Sequence, residues 1–231
     1  MPPITRTTRP DVFALLHLCD SLFPIGAFSH SDGLEAATAS GAIQSGRDLK
    51  CWIDTCLEQT LGTCDGPAVA RAWRLARNER WLELDVLDAE MHAMRPSSAG
   101  RQASRAMGTR LVKTWRQIRP ESCPEGLLER AGAGLTLPVA FGAVCASSGI
   151  DARGAVEGFF YTRLAAMVSS AMRLIPIGQH EAHSMLAEAL ARATPRVDGI
   201  LAGDAEASMF APALDVAAMG QQYVLSRLFK S

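Results

Sequence analysis

Residues 20–35 of this chain, DSLFPIGAFSHSDGLE, pack a helix stop, a turn and a helix restart into sixteen positions. The run before them, VFALLHL at 12–18, is apolar with helical spacing. Pro24 cannot extend that helix, because its ring clashes with the preceding turn and it has no N–H. The first helix is therefore expected to end near Ser21. Gly26 opens backbone conformations closed to other residues. Asp32 with Glu35 three residues later fits a reciprocal N-terminal cap, with Ser29 and Ser31 as competing caps. A short second helix is expected to begin there and end at Gly41. Such a corner needs one proline, one glycine and one cap, so Phe28, His30 and Gly33 are surplus to it. Taken singly, Phe28 reads as a core filler and Gly33 as a site of close helix packing.

Helical periodicity continues along the chain. Leu49, Trp52, Ile53, Cys56, Leu57 and Thr60 or Leu61 share one stripe, while Asp48, Lys50, Asp54 and Glu58 face away. Pro67 suits the first turn of a helix carrying Val69, Ala70, Trp73 and Ala76. Leu84, Leu87, Met91 and Met94 form another stripe, and Met107, Leu111, Trp115 and Ile118 a further one. From Arg95 to Arg119 there are seven basic residues and no acidic one. That face reads either as solvated or as a docking surface for an acidic partner. Aromatic side chains are not interleaved among these arginines as a nucleic-acid surface would need.

The stretch 131–150 is twenty uncharged residues long, enough to raise the question of a membrane span. Its four glycines, Pro138 and three hydroxyls argue instead for a buried helix capped by Thr136. The next run, Val156–Ile175, carries apolar residues at helical spacing and is expected to be the central helix. Pro176 and Gly178 end it, and 179–193 restarts with His180 and His183 three apart. With no third ligand nearby, that pair does not make a metal motif. Pro212 opens a last helix bearing Leu214, Ala217, Ala218, Val224, Leu225 and Leu228, interrupted by Gly220, Gln221 and Gln222. That helix is expected to order only when something packs on it.

No strand-like alternation survives. The expected fold is all-α, a single compact helical bundle of about ten helices over residues 11–231, preceded by a disordered arm at 1–10 that lacks a secretory hydrophobic segment. Hydrophobic residues make up 48% of the 231, enough for one substantial core. A net charge of −1 gives no reason to expect nucleic acid or an anionic membrane as partner. Six cysteines without paired CxxC spacing fit a reducing cytoplasm. There is no P-loop, nucleophile elbow or dinucleotide fingerprint, which leans toward a binding protein without catalytic residues, cofactor or metal.

The segment FPIGAFSHSDGLE at 23–35 resembles the LPIGxFxxSxGLE signature of the urease accessory protein F family. RLIPIGQ at 173–179 is similar to that family's RLxPLGQ segment, LPVAFGAVCASSGI at 137–150 to its Pro-x-x-Phe-Gly run, and LDVAAM with SRLFKS at 214–231 to its C-terminus. Phe23 stands where leucine is usual, and Gln221–Gln222 where a His-Glu pair is frequent. The resemblance implies a cytoplasmic scaffold or chaperone in nickel insertion into apo-urease. It would bridge accessory protein D (H in some organisms) and the nickel-carrying GTPase G, around a homodimer of F.

Carried over as partner-binding residues are Pro24, Gly26, Phe28, Ser29, Ser31, Gly33 and Glu35, then Arg173, Pro176, Gly178 and Gln179, then Ser226, Arg227, Leu228, Phe229 and Ser231. Two other classes stay open. A small all-α ligand-binding enzyme would use His17, His30 and Glu35, and a nickel-binding metallochaperone would use His180, His183 and Cys145 or Cys64. Gly33 is expected in the first turn of its helix, where alanine is the better helix former by roughly 1 kcal/mol. Gly33→Ala is accordingly expected to keep or raise stability while weakening recruitment of the GTPase.

Overall fold

Capping chemistry sets most helix boundaries. In the computed structural model, which describes residues 11–203 and 206–230, Asp11 accepts the Ala14 amide to start α1 (Val12–Leu18). α2 (Leu34–Ala39) follows, and Ser45 with Asp48 forms a complete capping box on α3 (Gly46–Cys56). A π-helical segment, Leu57–Asp65, joins α3 without a break to α4 (Gly66–Arg77). Then come α5 (Trp81–Ala93), α6 (Ser98–Ile118), α7 (Glu125–Ala133), α8 (Leu137–Ser147), α9 (Ala152–Leu174), α10 (Gln179–Ala202) and α11 (Pro212–Gly220). Among the described residues there is no strand, and eleven α-helices stand where about ten are expected. The arm at 1–10 and Ser231 lie outside the described residues.

The centre of the bundle is α8, not α9 as the periodicity suggests. Ten of its eleven residues are buried, with α4, α5, α6 and α9 around it. Its glycine explains how close α4 comes: a Cβ on Gly142 would stand 2.4 Å from the Val69 carbonyl oxygen. The uncharged run 131–150 is thus split between the end of α7, a short link and α8. No helix among the described residues is long and apolar enough to cross a membrane. α9 buries Phe159, Phe160, Leu164 and Val168, but Tyr161 and Ser169 on its other side are open to solvent.

A helix start buried this deeply leaves N–H groups that must be satisfied. Thr136 is the N-cap residue, as expected, but its hydroxyl does not cap. It donates to Asp88 Oδ1 at 2.7 Å, as does its own amide, while Ser104 Oγ accepts the Leu137 amide at 3.0 Å. Side chains from α5 and α6 therefore replace the local cap.

The cationic side of α6 is largely occupied by the chain itself. Arg95 pairs with buried Asp65 at 2.6 Å, Arg105 lies 3.7 Å from Asp88, and Arg119 reaches Asp11 at 2.7 Å. Arg101, Arg110 and Arg116 donate to backbone carbonyls. Six of its seven cations are thus engaged by the chain's own carboxylates and carbonyls, which weighs against this strip as a docking surface for an acidic partner.

Along the outside, α3 and the π-helical segment run parallel to α10 in one register. Lys50 pairs with Glu188, Asp54 with Arg192 and Glu58 with Arg196, each pair separated by 138 residues.

Candidate functional site

The turn after α1 is built from paired local constraints. α1 ends at Leu18, earlier than Ser21. Asp20 then accepts the Leu22 amide at 2.7 Å, and Phe23 turns inward, with its ring centroid 5.5 Å from that of His17 and 5.9 Å from that of Trp115. Gly26 has φ +80°, and a Cβ there would meet the Arg110 guanidinium, which donates to the Ile25 carbonyl. A single 3₁₀ turn, Ala27–Ser29, follows. It leaves Phe28 exposed and Ser29 Oγ donating to the Gly26 carbonyl.

The expected Asp32–Glu35 capping box does not form. Asp32 and Gly33 both have positive φ, and Gly33 is the N-cap of α2 with no side-chain cap. Ser31 Oγ takes the Glu35 amide at 3.4 Å, and Asp32 turns to an ion pair with Arg163 on α9. Burial pushes the Arg163 guanidinium down to about 10. A Cβ on Gly33 would lie 2.7 Å from the Ala218 amide nitrogen, so glycine here serves both a left-handed backbone and the seat of α11.

Freed from capping, the Glu35 carboxylate faces the C-terminal segment. It is 4% exposed and accepts the Leu228 amide at 2.6 Å, the Phe229 amide at 3.2 Å and the Gln221 side-chain amide at 2.5 Å. Gln221 completes the link by accepting the Ala36 amide at 3.2 Å through Oε1. A buried carboxylate satisfied by three donors is an anchor, with little capacity left for proton transfer to a ligand. Phe229 is buried beneath Arg173, whose guanidinium carbon is 4.4 Å from the ring centroid. Arg173 also donates to the Phe28 carbonyl at 3.3 Å, and the Lys230 amide donates to the Ser29 carbonyl at 2.7 Å.

Three of the segments singled out by sequence therefore meet. The 23–35 motif, Arg173 and Phe229 form one continuous arrangement, with Ser31, Gly33, Glu35 and Phe229 inside it. Pro24, Phe28, Ser226, Arg227 and Leu228 are exposed around it. Pro176, Gly178 and Gln179 lie exposed at the turn between α9 and α10, where Gly178 is the N-cap. Gln221 is the participant that sequence reading missed. It reads as a polar interruption of the last helix, whereas α11 ends at Gly220 and Gln221 is 1% exposed. A glutamine beside the Gly220 stop of an apolar helix was the available signal.

The residues of the two other classes are dispersed. His17 packs edge-on to Phe23 and tilted against Trp115, His30 is held down to about 4 by burial and then by Arg163, Lys230 and Arg110, and Glu35 is bound to the C-terminal segment. His180 and His183 are exposed on α10, whereas Cys64 and Cys145 are buried in the core. Among the described residues no group of three or more His, Cys, Asp or Glu side chains is placed to hold a metal ion.

Comparison with known proteins places the chain by sequence. The UreF family profile matches residues 43–190. A urease accessory protein UreF of Granulibacter bethesdensis is 30% identical over 232 aligned residues, covering 99% of this chain and 98% of the relative. One from Mesorhizobium japonicum is 31% identical, covering 97% of this chain and all of the relative, and one from Rhodopseudomonas palustris is 26% identical over 99% and 95%. With more than half of its length matched by the family profile and relatives aligned from end to end, this chain belongs to the UreF family of urease accessory proteins.

Proposed function

We propose that this chain is a non-catalytic cytoplasmic scaffold for nickel insertion into apo-urease, bridging accessory protein D/H and the GTPase G as a homodimer. The observation that carries this reading is the convergence of the 23–35 motif, Arg173 and the C-terminal segment on the Glu35 carboxylate. In an accessory protein, such an arrangement gives a surface on which Phe28, Arg227 and Leu228 stand exposed for contact. The buried members act through shape and the exposed ones through contact, with no bond made or broken. The chain alone is expected neither to hydrolyse GTP nor to bind nickel one-to-one, and calorimetry giving tight stoichiometric nickel binding would refute that.

The test is capture of D/H by the full chain and by two variants. Arg227→Ala removes an exposed side chain and should weaken capture at unchanged melting temperature. Glu35→Gln keeps the volume but loses the charge-assisted bonds to Leu228 and Phe229, and should weaken capture by freeing the segment. Unchanged capture by both, with folded partner present, refutes the reading of this end as a docking site. Removal of 226–231 is a harsher variant than the sequence suggests, because it leaves a buried carboxylate with two of its donors missing.

A further inference from the structure

Cations are fastened around the motif turn at successive backbone positions. Arg110 Nη1 donates to the Ile25 carbonyl at 2.8 Å, Arg173 to the Phe28 carbonyl at 3.3 Å, and the Lys230 amide to the Ser29 carbonyl at 2.7 Å. Arg163 pairs with Asp32. Gly26 makes the approach on the α6 side possible, since a Cβ there would stand 2.5 Å from Arg110 Nη1. Lys113 lies one turn further along the same exposed side of α6. A carbonyl holds a guanidinium in place but leaves its charge and most of its N–H donors unspent.

Elsewhere on the surface the chain pairs cation with carboxylate, as Lys50, Arg153, Arg192 and Arg196 do. Arg110, Lys113 and Lys230 are exposed, and among the described residues none of them has a carboxylate partner. The carboxylates of the motif are committed: Asp32 to Arg163, and Glu35 to the Leu228, Phe229 and Gln221 donors. The His30 ring registers the imbalance, being held down to about 4 by burial first and then by the charges of Arg163, Lys230 and Arg110.

We infer that Arg110, Lys113 and Lys230 form a binding site for a phosphate-class oxyanion, which bridges α6 to the C-terminal segment beside the motif turn. A guanidinium with two ammonium groups suits such an anion, the first as a planar fork and the others as point charges. Together with Arg163 and Arg173, these cations outnumber the carboxylates of Asp20, Asp32 and Glu35 by two. That excess matches a doubly charged phosphoryl group better than a single carboxylate. The consequence falls on the segment held most thinly. Leu228, Phe229 and Lys230 rest on Glu35, one buried ring and the bond to Ser29, so an ion shared by Lys230 and α6 adds a tether that depends on solute. The regulatory meaning of the site rests on the scaffold reading, since this is the end proposed to dock D/H. Its test uses the chain alone, so the two fail separately.

Inorganic phosphate and a nucleoside diphosphate are titrated separately into the full chain by calorimetry, at fixed ionic strength with chloride as the other anion. The wild type should bind phosphate saturably at one ion per chain. Arg110→Gln, Lys113→Gln and Lys230→Gln should each weaken binding by about 10-fold or more at unchanged melting temperature. Lys113 makes no hydrogen bond or ion pair among the described residues, so its variant guards against a folding defect from Arg110→Gln. Tighter binding of the diphosphate with the same sensitivity assigns the site to the phosphate of a nucleotide, and tighter binding of inorganic phosphate assigns it to the free ion. At saturating phosphate, hydrogen exchange at the Phe229 and Lys230 amides should slow. No saturable binding of either probe, binding indifferent to all three variants, or unchanged exchange at saturation would overturn the inference. So would weaker capture of a protein partner by the variants without binding of either probe, which would give these cations to an acidic protein surface.

Discussion

α8 and the C-terminal segment are both held by a buried carboxylate, and they differ in everything else. Asp88 satisfies the start of α8, and from there every residue to Ala146 is buried in a helix surrounded by four others. Glu35 satisfies the backbone at Leu228 and Phe229, but around that point Tyr223, Leu225 and Leu228 remain exposed. In the first region a polar contact completes a structure that apolar burial already dictates. In the second, a few hydrogen bonds and one buried ring carry the segment, so it can be perturbed with little effect on the rest. A protein that meets partners benefits from such a division, because the low-stability unit supplies the adjustable surface.

The largest effect should come from the core side. Phe141→Ala on α8 removes a buried ring 5.5 Å from that of Phe159 and should cost about 3–5 kcal/mol in a single global transition by chemical denaturation. A loss under about 1 kcal/mol would mean that α8 is not the centre of the cooperative unit.

Gly33→Ala probes the junction of the two regions. Its expected neutral or stabilising effect is overturned by the φ of +86° and by the Ala218 amide in the path of a Cβ. The left-handed backbone alone costs roughly 1–2 kcal/mol for a residue with a Cβ, and displacement of α11 adds to it. Hydrogen exchange at Leu228, Phe229 and Lys230 should quicken while α8 amides stay protected. An equally stable variant with a protected C-terminal segment would remove Gly33 from the seat of α11.

A smaller effect should follow pH at His30. Burial holds its folded-state pKa down to about 4 from 6.5, so the unfolded chain takes up a proton first. The stabilisation from the neutral ring is complete above about pH 6.5 and is lost as pH falls through 4. Partial solvent access keeps it below the Gly33 effect. The difference in melting temperature between wild type and His30→Gln should shrink over that interval, and a difference constant with pH would contradict the assignment.

The smallest change belongs to the exposed ion-pair row. Arg192→Ala should alter stability by less than about 1 kcal/mol, because both partners are solvated. A larger loss would give the register between α3 and α10 a role beyond surface pairing.

Helix type and approximate position were legible because a 3.6-residue period repeats over many residues and Pro24, Pro67, Pro138, Pro176 and Pro212 punctuate it. The central helix was not, since uniform burial erases the polar face that periodicity needs. That is why α9, with one open side, stood out over α8. The site was legible as three separate segments. What each of their residues does was not, because Glu35 reads as a cap until a partner 193 residues away competes for it.

By itself, then, the amino-acid sequence determined the helical class, the places where the chain must turn and the family to which it belongs, since these rest on local sterics and on ordered motifs. Tertiary structure alone decided which helix lies at the centre, that the arginines of α6 bind the protein's own carbonyls and carboxylates, and that Glu35, Gln221 and Arg173 gather the C-terminal segment onto the first motif. Those outcomes depend on competition between partners distant in sequence. The free energy of a buried polar group is settled by whichever donor the fold brings within reach.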